Sequence, residues 1–382
     1  MKIGILTLTP INNYGAIMQA FALQTVLKGF GHEVYILISE DERRKVCAFG
    51  FKPSPLVYPF VILKRLYRIY IKGERHLKVS ITKQLKNEKK VVFEHILKFI
   101  NDNIQVYNCQ NYACIPENEF DAMVVGSDQI WNPKHCKDIK KSFLSFAESW
   151  KIKRVSYSAS FGRVNLNRYS ETDVKICREL LQKFDAVSVR EDSAVVLCDK
   201  YFGVNALHLL DPAFLLDVEF YNKLIVDEKQ QKCGIFSYLL YENTDNQIVL
   251  EMVSKWLKIN STKTILPKVY VAESKNLIDY VYPSPLKWLA AFRDAEFVVT
   301  DSFHGVVFSI IFNKPFVVKI NSGADDARFS SILRMFGLED RLISSSGELT
   351  EAHLLPIDYD RVNKVKKEWQ IKSFQFLKNN LK

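Results

Sequence analysis

KIGILTL (2–8), AIMQAFALQTVLKGF (16–30) and HEVYILI (32–38) decide the fold class. The first and third runs are short, apolar and rich in β-branched residues, as buried strands are. The second carries a helical apolar pattern and ends at Gly29 and Gly31. Strand, helix and strand joined by short turns make a βαβ unit, whose two strands pair in parallel. The rhythm resumes at DAMVVGS (121–127), KRVSYSASF (153–161), a helix over 170–183 and DAVSVRE (185–191), and LHLLDPAFLL (207–216) reads as the last strand and the exit from a first domain. A second cycle runs through KCGIFSYLL (232–240), TKTILPKVYV (262–271), a helix over 285–295, EFVVTDS (296–302), helix HGVVFSIIFN (304–313) and strand PFVVKI (315–320). The expected fold class is α/β: two Rossmann-like domains with parallel sheets and a cleft between them. The expected boundaries are 1–216, 217–350, and a basic C-terminal helix within 351–382 that packs back on the first domain.

A chain of 382 residues exceeds what one core usually organises, which agrees with two domains. Its hydrophobic fraction of 48% and charged fraction of 25% are those of folded protein, so wholesale disorder is excluded. Seven scattered cysteines without a CxxC pair fit reduced thiols in a cytosol. The start leads straight into a strand-like run and no window approaches a membrane span, so a cytoplasmic location is expected. The formal charge of +10 is concentrated: Arg43 to Lys90 holds 14 Lys/Arg against Glu74 and Glu88, and the remainder is near neutral. Three prolines (Pro53, Pro55, Pro59) and the run LVYPFVILKRLYRIYIKGERHLK break the α/β rhythm here, so 41–100 reads as irregular chain plus surface helices.

Ligands in open parallel sheets bind at the carboxyl ends of the strands, and four such ends carry polar clusters. NNYGA (12–16) opens the first helix, where Asn13, Tyr14 and Gly15 either contact an anionic ligand or form a capped turn. VVGSDQIWN (124–132) places Ser127, Asp128, Gln129 and Trp131 together, with Asp128 a candidate base for a sugar hydroxyl and Trp131 a flat face for a sugar ring. The bland reading is a helix cap at Ser127 or Asp128. VSVRED (187–192) puts Arg190 at a strand end as a bidentate anion clamp, or as a loop tie to Glu191, Asp192 or Asp211. TDSFHGVVFS (300–309) is the sharpest signal: Asp301 and Ser302 can cap the helix, Gly305 admits a ligand to the backbone, and His304 points into the crevice. Lys319 and Arg328 either complete an anion pocket or are surface charges. No HExxH, CxxC pair or P-loop occurs in the sequence, so neither a metal nor a nucleoside-triphosphate site is expected.

NNYGAIMQAFALQ, VVGSDQIWN, VSVRED, LLDPAFLL and TDSFHGVVFSIIFNKPF, in this order, resemble the polysaccharide pyruvyl transferase family over about residues 3–340. The resemblance implies a GT-B-like pair of domains. It also implies transfer of the enolpyruvyl group of phosphoenolpyruvate to two hydroxyls of a sugar, giving a pyruvate ketal and free phosphate with no cofactor. His304 matches the family histidine and Arg190 a family arginine, both expected near the donor. Some members carry arginine two positions before that histidine. Ser302 stands there in this chain, so another cation must meet the donor's negative charge, in the order Arg328, Lys319, Arg163. The implied roles are His304 as acid or phosphate partner, Asp128 as base and Arg190 as clamp.

The family's acceptors are often sugars on an anionic polyprenyl diphosphate, and the basic stretch 41–90 could rest on acidic headgroups or be a solvated helix. No recognition motif for nucleic acid accompanies the charge. Two other functions remain compatible with the sequence: a GT-B glycosyltransferase using a nucleotide-sugar, and a non-catalytic capsule-assembly protein on the same scaffold.

Overall fold

A computed structural model describes residues 1–9, 13–40, 58–74, 77–78, 80–136, 138–241, 243–266, 276–320 and 327–382. The first part of the basic insertion (41–57), the end of the expected strand at 262–271 and the Gly-Asp-rich loop 321–326 lie outside the described residues.

The first sheet has seven strands: β1 (Lys2–Leu6), β2 (Glu33–Ser39), β3 (Val106–Cys109), β4 (Ala122–Val125), β5 (Lys153–Ala159), β6 (Ala186–Val189) and β7 (Ala206–His208). Their order is β3-β2-β1-β4-β5-β6-β7 and every pairing is parallel. The second sheet, in the order β12-β11-β10-β8-β9, contains β8 (Cys233–Tyr238), β9 (Thr262–Thr264), β10 (Ala295–Thr300), β11 (Phe316–Lys319) and β12 (Leu342–Ile343), again all parallel. Two Rossmann-like domains thus face one another in a GT-B-like arrangement. The order in which strands are added reverses between β1 and β4 in one sheet and between β8 and β10 in the other, so each sheet has its crevice there.

Helix α1 (Tyr14–Gly29) follows β1 and is buried on nearly every side, which fits a sequence apolar all round and a place between other layers rather than on a surface. Its two buried glutamines are both satisfied. Gln19 binds Thr7 Oγ1 at 3.0 Å and the Ser127 amide at 3.1 Å, and Gln24 donates to Val34 and Gln105 carbonyls. The crossover from β2 to β3 carries α2 (Tyr58–Tyr70), α3 (Ile81–Val92) and α4 (Glu94–Asn103). Further along lie α5 (Glu171–Leu181), α6 (Asp192–Leu197), α7 (Val218–Leu224), α8 (Thr244–Leu257), α9 (Pro285–Asp294), α10 (Phe303–Ile311), α11 (Ala327–Phe336) and α12 (Tyr359–Asn380).

The last helix, α12, crosses to the first sheet. Gln370 donates to the Phe214 carbonyl, Ser373 Oγ accepts from the Leu210 amide at 3.4 Å, and Phe374 meets Phe30 edge-on. The 207–216 segment is not one strand: β7 ends at His208 and Pro212–Leu215 is a 3-10 turn begun by Asp211, whose carboxylate accepts from Ala213 N. Proline lacks the amide a continuing ladder needs. Strands β3 and β12, of four and two residues, carry too short an apolar run to stand out in the sequence.

Candidate active site

The carboxyl ends of β4, β6 and β10, with the turn after β7, bring four ionisable side chains into one buried cluster. Arg190, just past β6, bonds Asp211 Oδ2 at 3.1 Å and Asp128 Oδ1 at 3.3 Å. His304, in the first turn of α10 and thus from the other domain, has its Nε2 3.6 Å from the same Asp211 Oδ2. Side-chain exposure is 1% for Arg190, 7% for Asp128, 0% for Asp211 and 6% for His304, so the group is closed from bulk water. At 3.6 Å the histidine and aspartate are not hydrogen-bonded, and Nε2 has no hydrogen-bond partner among the described residues. A buried polar atom left without a hydrogen bond costs about 1–3 kcal/mol.

Local backbone explains why the carboxylates meet. Gly126 has φ +130°, and a Cβ there would lie 2.1 Å from the Tyr157 carbonyl oxygen, so only glycine fits. The Gly126–Ser127 peptide is cis, and Asp128 takes the left-handed conformation with φ 62°, held by the Ser160 amide on its carbonyl at 3.0 Å. Across from it the β5–β6 register shifts between Ser156 and Ala159, and Ser158 is also left-handed. Ser127 Oγ lies within hydrogen-bond reach of two acceptors, Ser158 O at 2.9 Å and Asp211 Oδ2 at 3.2 Å, which share its single proton. Asp211 Oδ2 is therefore shared by Ser127 and Arg190 and faces His304.

Electrostatics follow from this sharing. Burial pushes the Asp211 carboxyl up, but the contact and charge of His304 and the charge of Arg190 outweigh it and hold the group at about 2. For Asp128 burial again opposes ionisation, and Arg190, His304 and Arg328 together hold the carboxyl below its ordinary value. Burial alone would lower the Arg190 guanidinium; Asp128, Asp211 and Glu191 reverse this and raise it. Glu191 is shifted upwards by burial despite accepting from Ser160 Oγ, Phe161 N and Gly162 N.

Several sequence expectations are corrected by this geometry. Arg190 is not an open clamp, because its fork is engaged by two carboxylates and its guanidinium carbon lies 4.2 Å from the centre of the Phe303 ring. Asp128 is not a free base, since its Oδ1 is engaged by Arg190 at 3.3 Å and its carboxyl is held below the ordinary value, which lowers its drive to take a proton. Trp131 does not offer a face to a sugar: it is fully buried, stacked on Phe143 at 5.0 Å, and its Nε1 donates to Ser142 O. Tyr14 is buried too, stacked on Trp288 with its hydroxyl on Pro283 O at 2.8 Å, and so ties the domains together. Asn13 is exposed and caps α1 through Gly15 N and Ala16 N. Gln129 is half-buried and accepts from Asn132 Nδ2.

On the second domain, Asp301 does not cap α10 or pair with His304; it accepts from Leu240 N at 2.6 Å and Tyr241 N at 3.2 Å. Ser302 stands at the N-cap of α10 without a side-chain cap bond, and its amide donates to Thr300 Oγ1 at 3.1 Å. Gly305 is needed for packing, since a Cβ would lie 2.1 Å from Thr300 Oγ1. Lys319 is buried against Asp245 at 2.9 Å. Arg328 instead joins the cluster, half-buried, with its guanidinium carbon 6.0 Å from the centre of the same Phe303 ring that Arg190 meets.

Phe303 is the site residue that sequence reasoning did not name, and Asp211 was named only as a possible tie for Arg190, a tie the structure contains. The signal for Asp211 was present as an acid followed by proline at the end of an apolar run, LLDPAF. Phe303 had no signal beyond its neighbour His304.

The sequence profile of the polysaccharide pyruvyl transferase family matches residues 13–323, which include Asp128, Arg190, Asp211, Phe303 and His304, while Arg328 lies just beyond the match. The chain belongs to the polysaccharide pyruvyl transferase family. A transferase of this kind is thereby indicated, with a polysaccharide as the implied acceptor. A search of curated proteins gives no match. Among solved structures the chain is similar to the spinosyn forosaminyltransferase SpnP, at 12% identity and TM-score 0.46, covering 100% of this chain and 98% of that one. It is also similar to UDP-GlcNAc 2-epimerase from Neisseria meningitidis, at 11% identity and TM-score 0.44, covering 98% and 94%. Such distant likenesses say nothing about which ligand this family member binds.

Proposed function

We propose that this protein transfers the enolpyruvyl group of phosphoenolpyruvate to two hydroxyls of one sugar of a cell-surface polysaccharide or its lipid-linked precursor. The observation that carries the reading is the buried Nε2 of His304, without a hydrogen bond among the described residues and 3.6 Å from Asp211 of the Asp211–Arg190–Asp128 cluster, inside the segment that the family profile matches.

The reaction needs a proton delivered to the methylene carbon of the donor. One sugar hydroxyl adds to the neighbouring carbon, the bond from that carbon to the phosphate oxygen breaks, and the second hydroxyl closes the ketal. Of the two hydroxyl protons, one balances the carbon protonation and the other leaves with phosphate. In this reading His304 passes the proton, with the Asp211 carboxylate 3.6 Å from its Nε2.

Two carboxylates against the single Arg190 charge leave Asp128 and Asp211 able to stabilise the cationic character that develops at the ketal carbon. Arg190 then acts as a positioning residue that holds them. Arg328, placed beside Phe303, is assigned to the donor's phosphate or carboxylate in the place of the family arginine that Ser302 replaces. Because the cluster is closed, substrate access requires the domains to part along the seam held by Tyr14 and Pro283.

Thermal shift and phosphate release test the reading together. Phosphoenolpyruvate should raise the melting temperature, and phosphate should appear only when an acceptor glycan is added. Stabilisation by a nucleoside diphosphate instead would indicate a nucleotide-sugar enzyme, and donor binding without turnover on any glycan would indicate a non-catalytic scaffold protein.

A further inference from the structure

We propose that helix α2 docks this protein on an anionic phospholipid surface. Phe60, Leu63, Tyr67 and Tyr70, with Ile71 just beyond the helix, are 52–72% exposed. At about 100° of turn per residue these five fall within an arc of about 100°, one continuous face. Apolar side chains gathered on one exposed face mark a contact surface, unlike apolar residues scattered singly. On the opposite side Arg65 is buried, bonded to the Lys78 carbonyl at 2.6 Å and to the Gln84 side chain, so α2 is fastened to the protein by its inner face.

The occupant is argued from charge. Lys64 and Lys72 are exposed along one border of the stripe, with Arg68 half-buried between them, and Lys78, Lys83 and Lys90 are exposed nearby. They belong to the Arg43–Lys90 stretch, where 14 basic residues face two acids. A second copy seated on this face would bring the same excess of positive charge against it and be repelled. An acidic headgroup layer supplies the opposite charge, an apolar interior for Phe60 and Leu63, and an interface that suits tyrosine.

The surface is also connected to the site. Val92, at the end of α3, accepts a hydrogen bond from the amide of Tyr282 in the second domain at 2.8 Å. Tyr282 packs on Phe93 and on Tyr14, the neighbour of Gly15. Docking through the insertion therefore holds the seam between the domains close to the bilayer, where a lipid-linked acceptor would be met. The inference does not depend on the catalytic reading, since binding is measured without donor or acceptor.

Flotation of the full chain tests it, using neutral phosphatidylcholine vesicles and vesicles that also contain phosphatidylglycerol, with light scattering to follow oligomeric state. The protein should float with the anionic vesicles only, and high salt should release it. Lys64→Glu with Lys72→Glu should lower the partition by at least about 20-fold, and Phe60→Ser with Leu63→Ser and Tyr70→Ser should abolish it while the urea midpoint is unchanged. Equal or absent flotation with both vesicles, or full binding by either variant, would overturn the proposal. So would a dimer that the triple substitution dissociates, which would make the face a contact between copies.

Discussion

His304 of the second domain occupies the space left by the missing side chain of Gly15 in the first. A Cβ built on Gly15 would lie 2.1 Å from both Cγ and Nδ1 of the ring, so a glycine at this turn is what allows the imidazole to reach Asp211. Gly15→Ala should therefore displace the ring or hold the domains apart, and a misplacement of about 1 Å can cost about 100-fold in rate. Turnover measured as phosphate release should fall by that order while the circular dichroism spectrum is kept. An alanine variant with normal turnover would mean that this contact does not position the histidine.

Arg190 balances two buried carboxylates, so its removal is a stability experiment as much as a catalytic one. Arg190→Met should cost about 3–5 kcal/mol by leaving Asp128 and Asp211 facing each other unneutralised. Adding Asp128→Asn and Asp211→Asn to that variant should restore part of the loss. Chemical denaturation of the single and triple variants checks both directions. A single variant as stable as the parent would show that the ion pairs contribute little.

Acid stability should depend on Asp211. Its carboxyl sits at about 2 in the folded protein against an ordinary 3.8, so between those values the unfolded chain binds the proton and the folded one does not. The contribution is thus present above about pH 4 and lost as pH falls through the folded value, with a size on the order of 2 kcal/mol. Urea midpoints from about pH 5 down to about pH 2 should fall more steeply for the parent than for Asp211→Asn. Parallel curves would contradict the assignment.

Trp131 separates a core role from a substrate role. Trp131→Ala should destabilise by about 3–5 kcal/mol, as loss of a fully buried indole does. The acceptor KM of whatever protein remains folded should be unchanged. A variant with parental stability and a raised acceptor KM would return the indole to the sugar.

How much of this the sequence disclosed depends on the range of the interaction. The βαβ rhythm is local, so Lys2–Leu6, Tyr14–Gly29 and Glu33–Ser39 were legible to within a residue or two. His304 and Arg190 were legible because each follows a strand, where parallel sheets present ligand groups. What each side chain does there was not. Trp131 and Gln129 stand in the same string as Asp128, yet the left-handed turn at Asp128 sends the indole into the core. Arg190 has Asp211 21 residues ahead and Asp128 62 residues behind, and only the closed sheet shows that both carboxylates reach it. Lys319 and Arg328 look alike as isolated cations, and the separation between them comes from Asp245, which engages one and not the other.

The central claim is that the imidazole at 304 acts on phosphoenolpyruvate within this charged cluster. Purified His304→Asn, compared with the parent for phosphate release from phosphoenolpyruvate plus acceptor glycan, tests it most directly. The account predicts a fall in turnover of about 100-fold or more with the melting temperature near that of the parent. Near-normal phosphate release by the variant would contradict it.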